Sequence, residues 1–308
     1  MPESAKAVAM LKHYLLELLD PLASITPLCG LVGIAFASLY VRVNIANALL
    51  LLVALMLANM AVDTLNAYGD YQNGIDAEVV RTKFSGGTVK STYLAEGKIR
   101  PKQTLWLALA VFALALAAGA YFFVKTPVLI PIAAFGAAVV LGYTHFLLKM
   151  PYVAEFMLVL VYTLVPLGSF IAITGATSHL LNASFVSVPV GILVSMVLLV
   201  NEIPDRDIDK KHGRKSVAVM LYDTRAISRL YFSMQLLGII IVLAGVALRL
   251  VPPYCIDVLF ATPFMLAAQR GINRYNTPKQ FEKSMGFNVA YFIAFVLLLA
   301  LGVFAAAI

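Results

Sequence analysis

From residue 22 onward the chain alternates long apolar runs with short polar segments, and this alternation restricts the possible folds more than any other feature. A bilayer core about 30 Å thick takes roughly 20 apolar residues of helix to cross, and a helix satisfies its own backbone hydrogen bonds there. Counted this way, the runs fall at roughly 22–41, 45–66, 103–124, 127–146, 152–176, 184–203, 229–250, 254–269 and 286–307. The expectation is an all-α polytopic membrane protein, nine transmembrane helices in a bundle with a cytoplasm-facing polar cavity. With 61% hydrophobic and 13% charged residues, the 308-residue chain lies outside the soluble range of about 45–50% apolar and about 25% charged. Cys29 and Cys255 lie in apolar runs without metal-ligand spacing and read as core residues. Residues 1–21 are amphipathic without the architecture of a cleaved signal, so they are expected to form a cytoplasmic N-terminal segment, with 22–308 as the membrane domain.

The basic residues orient this arrangement. Of 23 Lys and Arg, all but Arg42, Lys125 and Arg249 fall in the segments that nine crossings place on one side. Positive segments stay inside, so that side, with the N-terminus, is expected to be cytoplasmic. The net charge of +7 is thereby assigned to topology and inner-leaflet lipid rather than to nucleic acid. No obligatory protein partner is evident.

The two long polar loops, 66–102 and 201–228, share this face, and both are acidic near their start. In NAYGDYQNGID, Asn66 and Asp70 stand four apart, with Asp63 a turn earlier. In NEIPDRDID, Asn201, Asp205 and Asp209 recur every four residues, which in a helix puts one amide and two carboxylates on a single face while Asp207 points elsewhere. The repetition of the pattern in both halves hints at a duplicated unit. Gly69, Gly74 and Pro204 are expected to break or kink the helices beside the acids. Carboxylates this close repel one another, so a cation is expected between them. Oxygen donors without a Cys or His pair favour Mg²⁺. Arg81 and Lys83 follow the first motif, and Arg214 and Lys215 the second, supplying the basic half of a site for a metal-bridged polyanion such as diphosphate. In a membrane protein the natural candidate is a lipid diphosphate. With an isoprenoid tail, neutralising the leaving diphosphate promotes ionisation to an allylic cation that an electron-rich carbon can attack.

These motifs resemble the UbiA superfamily of intramembrane aromatic prenyltransferases. The form N-x-x-x-D-x-x-x-G-x-D at 66–76, with D-x-x-x-D-x-x-x-G-R-K-S-x-A-V at 205–219, is similar to the branch that prenylates 1,4-dihydroxy-2-naphthoate in menaquinone synthesis. The resemblance implies that Asn66, Asp70, Asp76, Asn201, Asp205 and Asp209 are Mg²⁺ and diphosphate ligands. It places Arg81 and Lys83 as diphosphate contacts, with Tyr143 and Lys149 at the end of the fourth span in the same role. It also implies a polyprenyl diphosphate donor and an aromatic acceptor. Ala67 stands where many relatives carry a second acid after the Asn. Other UbiA-type acceptors are 4-hydroxybenzoate, homogentisate or a glycerol-phosphate lipid. A cation-coupled secondary transporter is the competing class, since paired helix breaks with acids also describe transport sites, and a lipid-binding scaffold is a third. Glu155, early in the fifth span, is a functional suspect as an intramembrane carboxylate, with a hydrogen-bonded structural role as the alternative. His145 reads as an interfacial histidine.

Overall fold

The computed structural model describes residues 3–18, 21–82, 93–143, 146–275 and 278–307. These residues form thirteen α-helices: α1 (Glu3–Leu18), α2 (Ile25–Ala37), α3 (Ile45–Gln72), α4 (Ile75–Thr82), α5 (Pro101–Lys125), α6 (Leu129–Tyr143), α7 (Val153–Thr174), α8 (Leu180–Glu202), α9 (Arg206–Lys211), α10 (Val217–Leu221), α11 (Thr224–Ala247), α12 (Thr262–Asn273) and α13 (Pro278–Ala305). Tighter 3-10 turns at Pro21–Ser24, Leu147–Lys149 and Pro253–Ala261 precede α2, follow α6 and lead into α12. The protein is an all-helical integral membrane protein.

Among the described residues, seven helical segments are long and apolar enough to cross a bilayer, α12 counting together with the 3-10 turn before it. At the expected first and fourth spans lie the shorter apolar helices α2 and α6. Hydropathy overstates both because it counts apolar turn residues as helix. After Ala37 the chain already turns, with Ser38 Oγ donating to the Ala35 carbonyl at 2.6 Å.

Helix ends follow local chemistry. The Asn44 side chain caps α3 by accepting from Asn47 N–H at 3.1 Å, and Asp223 caps α11 by accepting from the N–H groups of Arg225 and Ala226. Pro101 opens α5, and Gly175 closes α7 in the left-handed conformation. The N-terminal helix is tied to the start of α5, where Tyr14 OH donates to Gln103 Oε1 at 2.7 Å and accepts from Arg100 N–H at 3.0 Å.

The packing is centred on α8. Some 78% of its most apolar stretch is buried within the protein, against 28% for α3, α5 and α7, so α8 is the post and those helices form part of the wall that lipid touches. It packs on α7, α11, α13 and α2, while α3 packs mainly on α5. Ile45, Val124 and Leu141 are among the exposed apolar side chains of that wall. Small residues bring backbones close: a Cβ on Gly33 of α2 would lie 2.0 Å from the Pro166 carbonyl oxygen of α7, and one on Gly191 of α8 would lie 2.4 Å from the Val159 carbonyl oxygen of α7. At 28 residues, α3 is about 42 Å long, more than the apolar layer, so its C-terminal turns are free to carry polar chemistry at one end of the bundle.

Candidate active site

The first motif grows out of that overlong helix. Asn59, Asp63, Asn66 and Asp70 occupy one face of α3, and Asp70 is buried. Thr26 Oγ1 of α2 donates to Asn59 Oδ1, and Asn59 Nδ2 donates to Asp63 Oδ2 at 2.6 Å, so the stripe is braced from the neighbouring helix. Gly69 stays inside α3 without breaking it, because a helical glycine needs no special backbone angles. The break falls at Gly74, whose φ of +75° is the left-handed conformation that glycine adopts without penalty. Beyond it α4 begins, with Asp76 buried in its first turn.

The second motif departs from the single helical face. Helix α8 ends at Glu202, Ile203 to Asp205 form a turn around Pro204, and a new short helix, α9, carries Asp209. Proline offers no N–H and crowds the preceding turn, so Asn201 stays on α8 while Asp205 and Asp209 belong to a redirected segment. Gly213, at φ +74°, then turns the chain back on itself and returns Arg214 toward the acids.

Arg214 joins the two motifs. Its Nη1 donates to Asp209 Oδ1 at 2.9 Å, its Nη2 donates to Asp70 Oδ1, and all three side chains are buried. A guanidinium thus lies between one acid of each motif, its planar fork addressing both at once. Burial works against its charge, and Asp70 and Asp209 together outweigh burial, leaving its pKa above the ordinary arginine value. Among the described residues no three His, Cys, Asp or Glu side chains converge as a metal cluster.

A second contact ties the loops at the surface. Glu78 of α4 accepts from Lys211 Nζ at 2.8 Å, and its other oxygen lies 3.0 Å from His212 Nε2. The hydrogen bonds from Lys211 and then His212 hold the Glu78 carboxyl below its ordinary range. A depressed carboxylate stabilises the fold at pH above its unfolded value, and that contribution disappears as pH falls through the lower folded value. The stability difference between wild type and Glu78→Gln is therefore expected to be present at pH 7, small because the pair is solvated, and lost on acidification below the ordinary carboxylate range. Thermal unfolding in detergent across pH reads this, and a difference that stays constant with pH would refute it.

The remaining candidates are dispersed. The Tyr143 hydroxyl, at the end of α6, donates to Glu202 Oε1, at the end of α8, at 3.5 Å. Lys149 and Lys215 are exposed, and Lys215 N–H donates to the Leu148 carbonyl at 2.6 Å, pinning the second loop to the turn after α6. Arg81 lies near the end of α4, with its side chain outside the described residues, as are Lys83 and His145. Sequence reasoning assigned Arg214 to anion binding and did not foresee it bridging the acids. The signal available was the glycine before it, which lets the chain fold back. Nothing in the local spacing marked Glu202.

A helical membrane protein with two acidic segments closed around a buried arginine at one end is the class that this fold and site define. The sequence matches the UbiA prenyltransferase family over residues 26–296, and the chain belongs to that family. It is a prenyltransferase. It is 27% identical over 288 residues, 91% of this chain and 88% of the relative, to the 1,4-dihydroxy-2-naphthoate octaprenyltransferase of Bacillus subtilis (strain 168). The fold is that of a UbiA homologue from Aeropyrum pernix K1 in its apo form, with a TM-score of 0.71 and 19% identity, covering 92% of this chain and 98% of that one. A UbiA homologue from Archaeoglobus fulgidus bound to DMAPP and Mg²⁺ matches with a TM-score of 0.59 and 17% identity, covering 92% of this chain and 99% of that one.

Proposed function

We propose that this prenyltransferase moves a polyprenyl group from its diphosphate to 1,4-dihydroxy-2-naphthoate. The observation that carries the reading is the meeting of Asp70 and Asp209 on Arg214, which brings both acidic motifs to one place. The acceptor rests on the Bacillus subtilis relative and on the motif forms at 66–76 and 205–219.

The donor set fits a hard divalent cation, since Asn66, Asp70, Asp76, Asn201, Asp205 and Asp209 offer only oxygen, apart from the amide nitrogens. These residues would hold Mg²⁺, and when bound it supplies positive charge against the leaving diphosphate. Arg214 orients Asp70 and Asp209 through its two hydrogen bonds. Arg81 and Lys83, which follow the first motif, Lys215 of the second loop and Lys149 after α6 are the basic residues we assign to the diphosphate. As the C–O bond breaks, its electron pair leaves with the diphosphate, and the ring carbon of the acceptor supplies the pair for the new C–C bond; the ring then loses its carboxylate as CO2, and the electron pair of that broken bond restores the aromatic ring. The apolar walls of the bundle exclude water from the cation. The basic segments support placing this end, and the N-terminus, in the cytoplasm.

Mass spectrometry of products from purified protein given geranylgeranyl diphosphate, Mg²⁺ and a panel of aromatic acceptors tests the proposal. A prenylated, decarboxylated naphthalenediol is expected, falling about 10²–10³-fold in Asp205→Ala, the usual loss for an electrostatic catalytic group. A product formed only from hydroxybenzoate or homogentisate would replace the acceptor. Failure with every acceptor, or full activity in Asp205→Ala, would overturn the reading.

A further inference from the structure

Several buried polar groups lie near the Asp70, Arg214 and Asp209 cluster, and the mechanism above leaves them without a task. Glu155, in the first turn of α7, is 6% exposed. Its Oε1 accepts from Val217 N–H at the start of α10, and its backbone carbonyl accepts from Ser195 Oγ of α8 at 3.2 Å, so the residue is clamped between three helices. Its Oε2 is buried without a hydrogen-bond partner. Glu202, the last residue of α8, has its Oε2 in the same condition, while its Oε1 makes only the long contact to Tyr143 OH. Ser216, just before α10, is fully buried, and its Oγ has no hydrogen-bond partner. Arg214 stands two residues before Ser216 and three before Val217, whose N–H Glu155 accepts, which puts these groups beside the Asp-Arg cluster.

Buried polar groups in folded proteins are hydrogen-bonded, and a loose end among them calls for an explanation such as a ligand or an ordered water. Here several loose ends gather where the start of α7, the end of α8 and the start of α10 meet. Two carboxyl oxygens stand ready to accept and two hydroxyls are available to donate or accept, which is the complement of a ligand carrying O–H groups. We propose that Glu155, Glu202, Tyr143 and Ser216 form the subsite that receives the hydroxyl groups of the aromatic acceptor, fixing its ring next to the diphosphate end of the donor. This rests on the prenyl-transfer reading of the neighbouring cluster and adds to it the part of the acceptor that is recognised. Glu155 is a specificity-determining residue in this arrangement. Its clamp to Val217 survives in Glu155→Gln, because an amide oxygen accepts the same N–H.

The test compares 1,4-dihydroxy-2-naphthoate with its mono-O-methyl ethers as acceptors, in wild type, Glu155→Gln and Tyr143→Phe, reading KM and kcat for each substrate separately. Equilibrium binding of the dihydroxy compound and of geranylgeranyl diphosphate is measured alongside. A hydrogen bond to a charged group is worth about tenfold or more in binding. In wild type, methylation should raise the acceptor KM by about that factor. In Glu155→Gln the dihydroxy acceptor should bind about tenfold more weakly, the penalty for methylation should largely vanish, and binding of geranylgeranyl diphosphate should be unchanged. Tyr143→Phe should act in the same direction with a smaller effect. Equal losses for dihydroxy and methylated acceptors, or a parallel loss of diphosphate binding, would overturn the subsite and leave Glu155 a structural residue beside a buried water. A wild type that transfers the prenyl group only to a non-aromatic acceptor would instead overturn the acceptor class on which the subsite rests.

Discussion

Replacing Arg214 by Met is expected to destabilise the protein by about 3–5 kcal/mol, the usual result of removing one partner from a buried ion pair. The methionine fills similar volume, so the effect isolates charge. Asp70 is 1% exposed and Asp209 3%, and both would face a low-dielectric interior with the guanidinium gone. A double-mutant cycle makes the argument specific. Asp70→Asn added to Arg214→Met should recover part of the loss, because it removes one of the stranded charges. Arg214→Lys should fall between wild type and Met, since an ammonium keeps the charge and loses the two-pronged geometry. Thermal unfolding in detergent measures each variant. Unchanged melting of Arg214→Met, or additive losses in the double variant, would show that the bridge contributes nothing to stability.

The second large effect is expected at Gly191. An alanine there puts its Cβ 2.3 Å from Thr163 Oγ1, 2.4 Å from the Val159 carbonyl oxygen and 2.9 Å from Thr163 N, all on α7. The Thr163 side chain can rotate away, but the two backbone atoms cannot, so α7 and α8 must separate. Overpacking of this kind costs about 1–3 kcal/mol, and the upper end applies because whole helices move. Activity should fall too, as α7 carries Glu155 and α8 carries Asn201 and Glu202. Gly136→Ala in α6 is the control, because nothing lies within 4 Å of its new methyl. That substitution should be neutral or stabilise by up to about 1 kcal/mol. If Gly191→Ala melts and turns over like Gly136→Ala, the close approach of α7 and α8 is not required.

The membrane class, the helical content and the position of both acidic motifs were legible because each depends on local pattern. A run of apolar residues reports a span wherever it packs, and four-residue spacing placed Asn66 and Asp70 on one face of α3 because that helix continues to Gln72. The same spacing misled at Asn201, Asp205 and Asp209, where Pro204 ends α8 and starts a new direction. Gly74 was read correctly as a break and Gly69 was not, since composition does not say which glycine needs a positive φ. The bridge from Arg214 to Asp70 spans 144 residues, and no periodicity encodes a partner at that distance. Glu155 was visible as an unusual intramembrane acid, but its closeness to Glu202 depends on how α7 crosses α8.

The burial of α8 also bears on the order in which the protein can be assembled. It precedes three of the helices that enclose it or the loop it leads into, and its contacts with α11 and α13 wait on segments made later. Until those segments enter the bilayer, the flank of α8 that they cover faces lipid, and the segment from Asn201 to Lys215 hangs from a helix packed on one side only. The first acidic motif, on α3 against α5, can settle early. The second reaches its final place only when α11 and α13 close around α8, so a chain inserted only as far as α8 holds half a site.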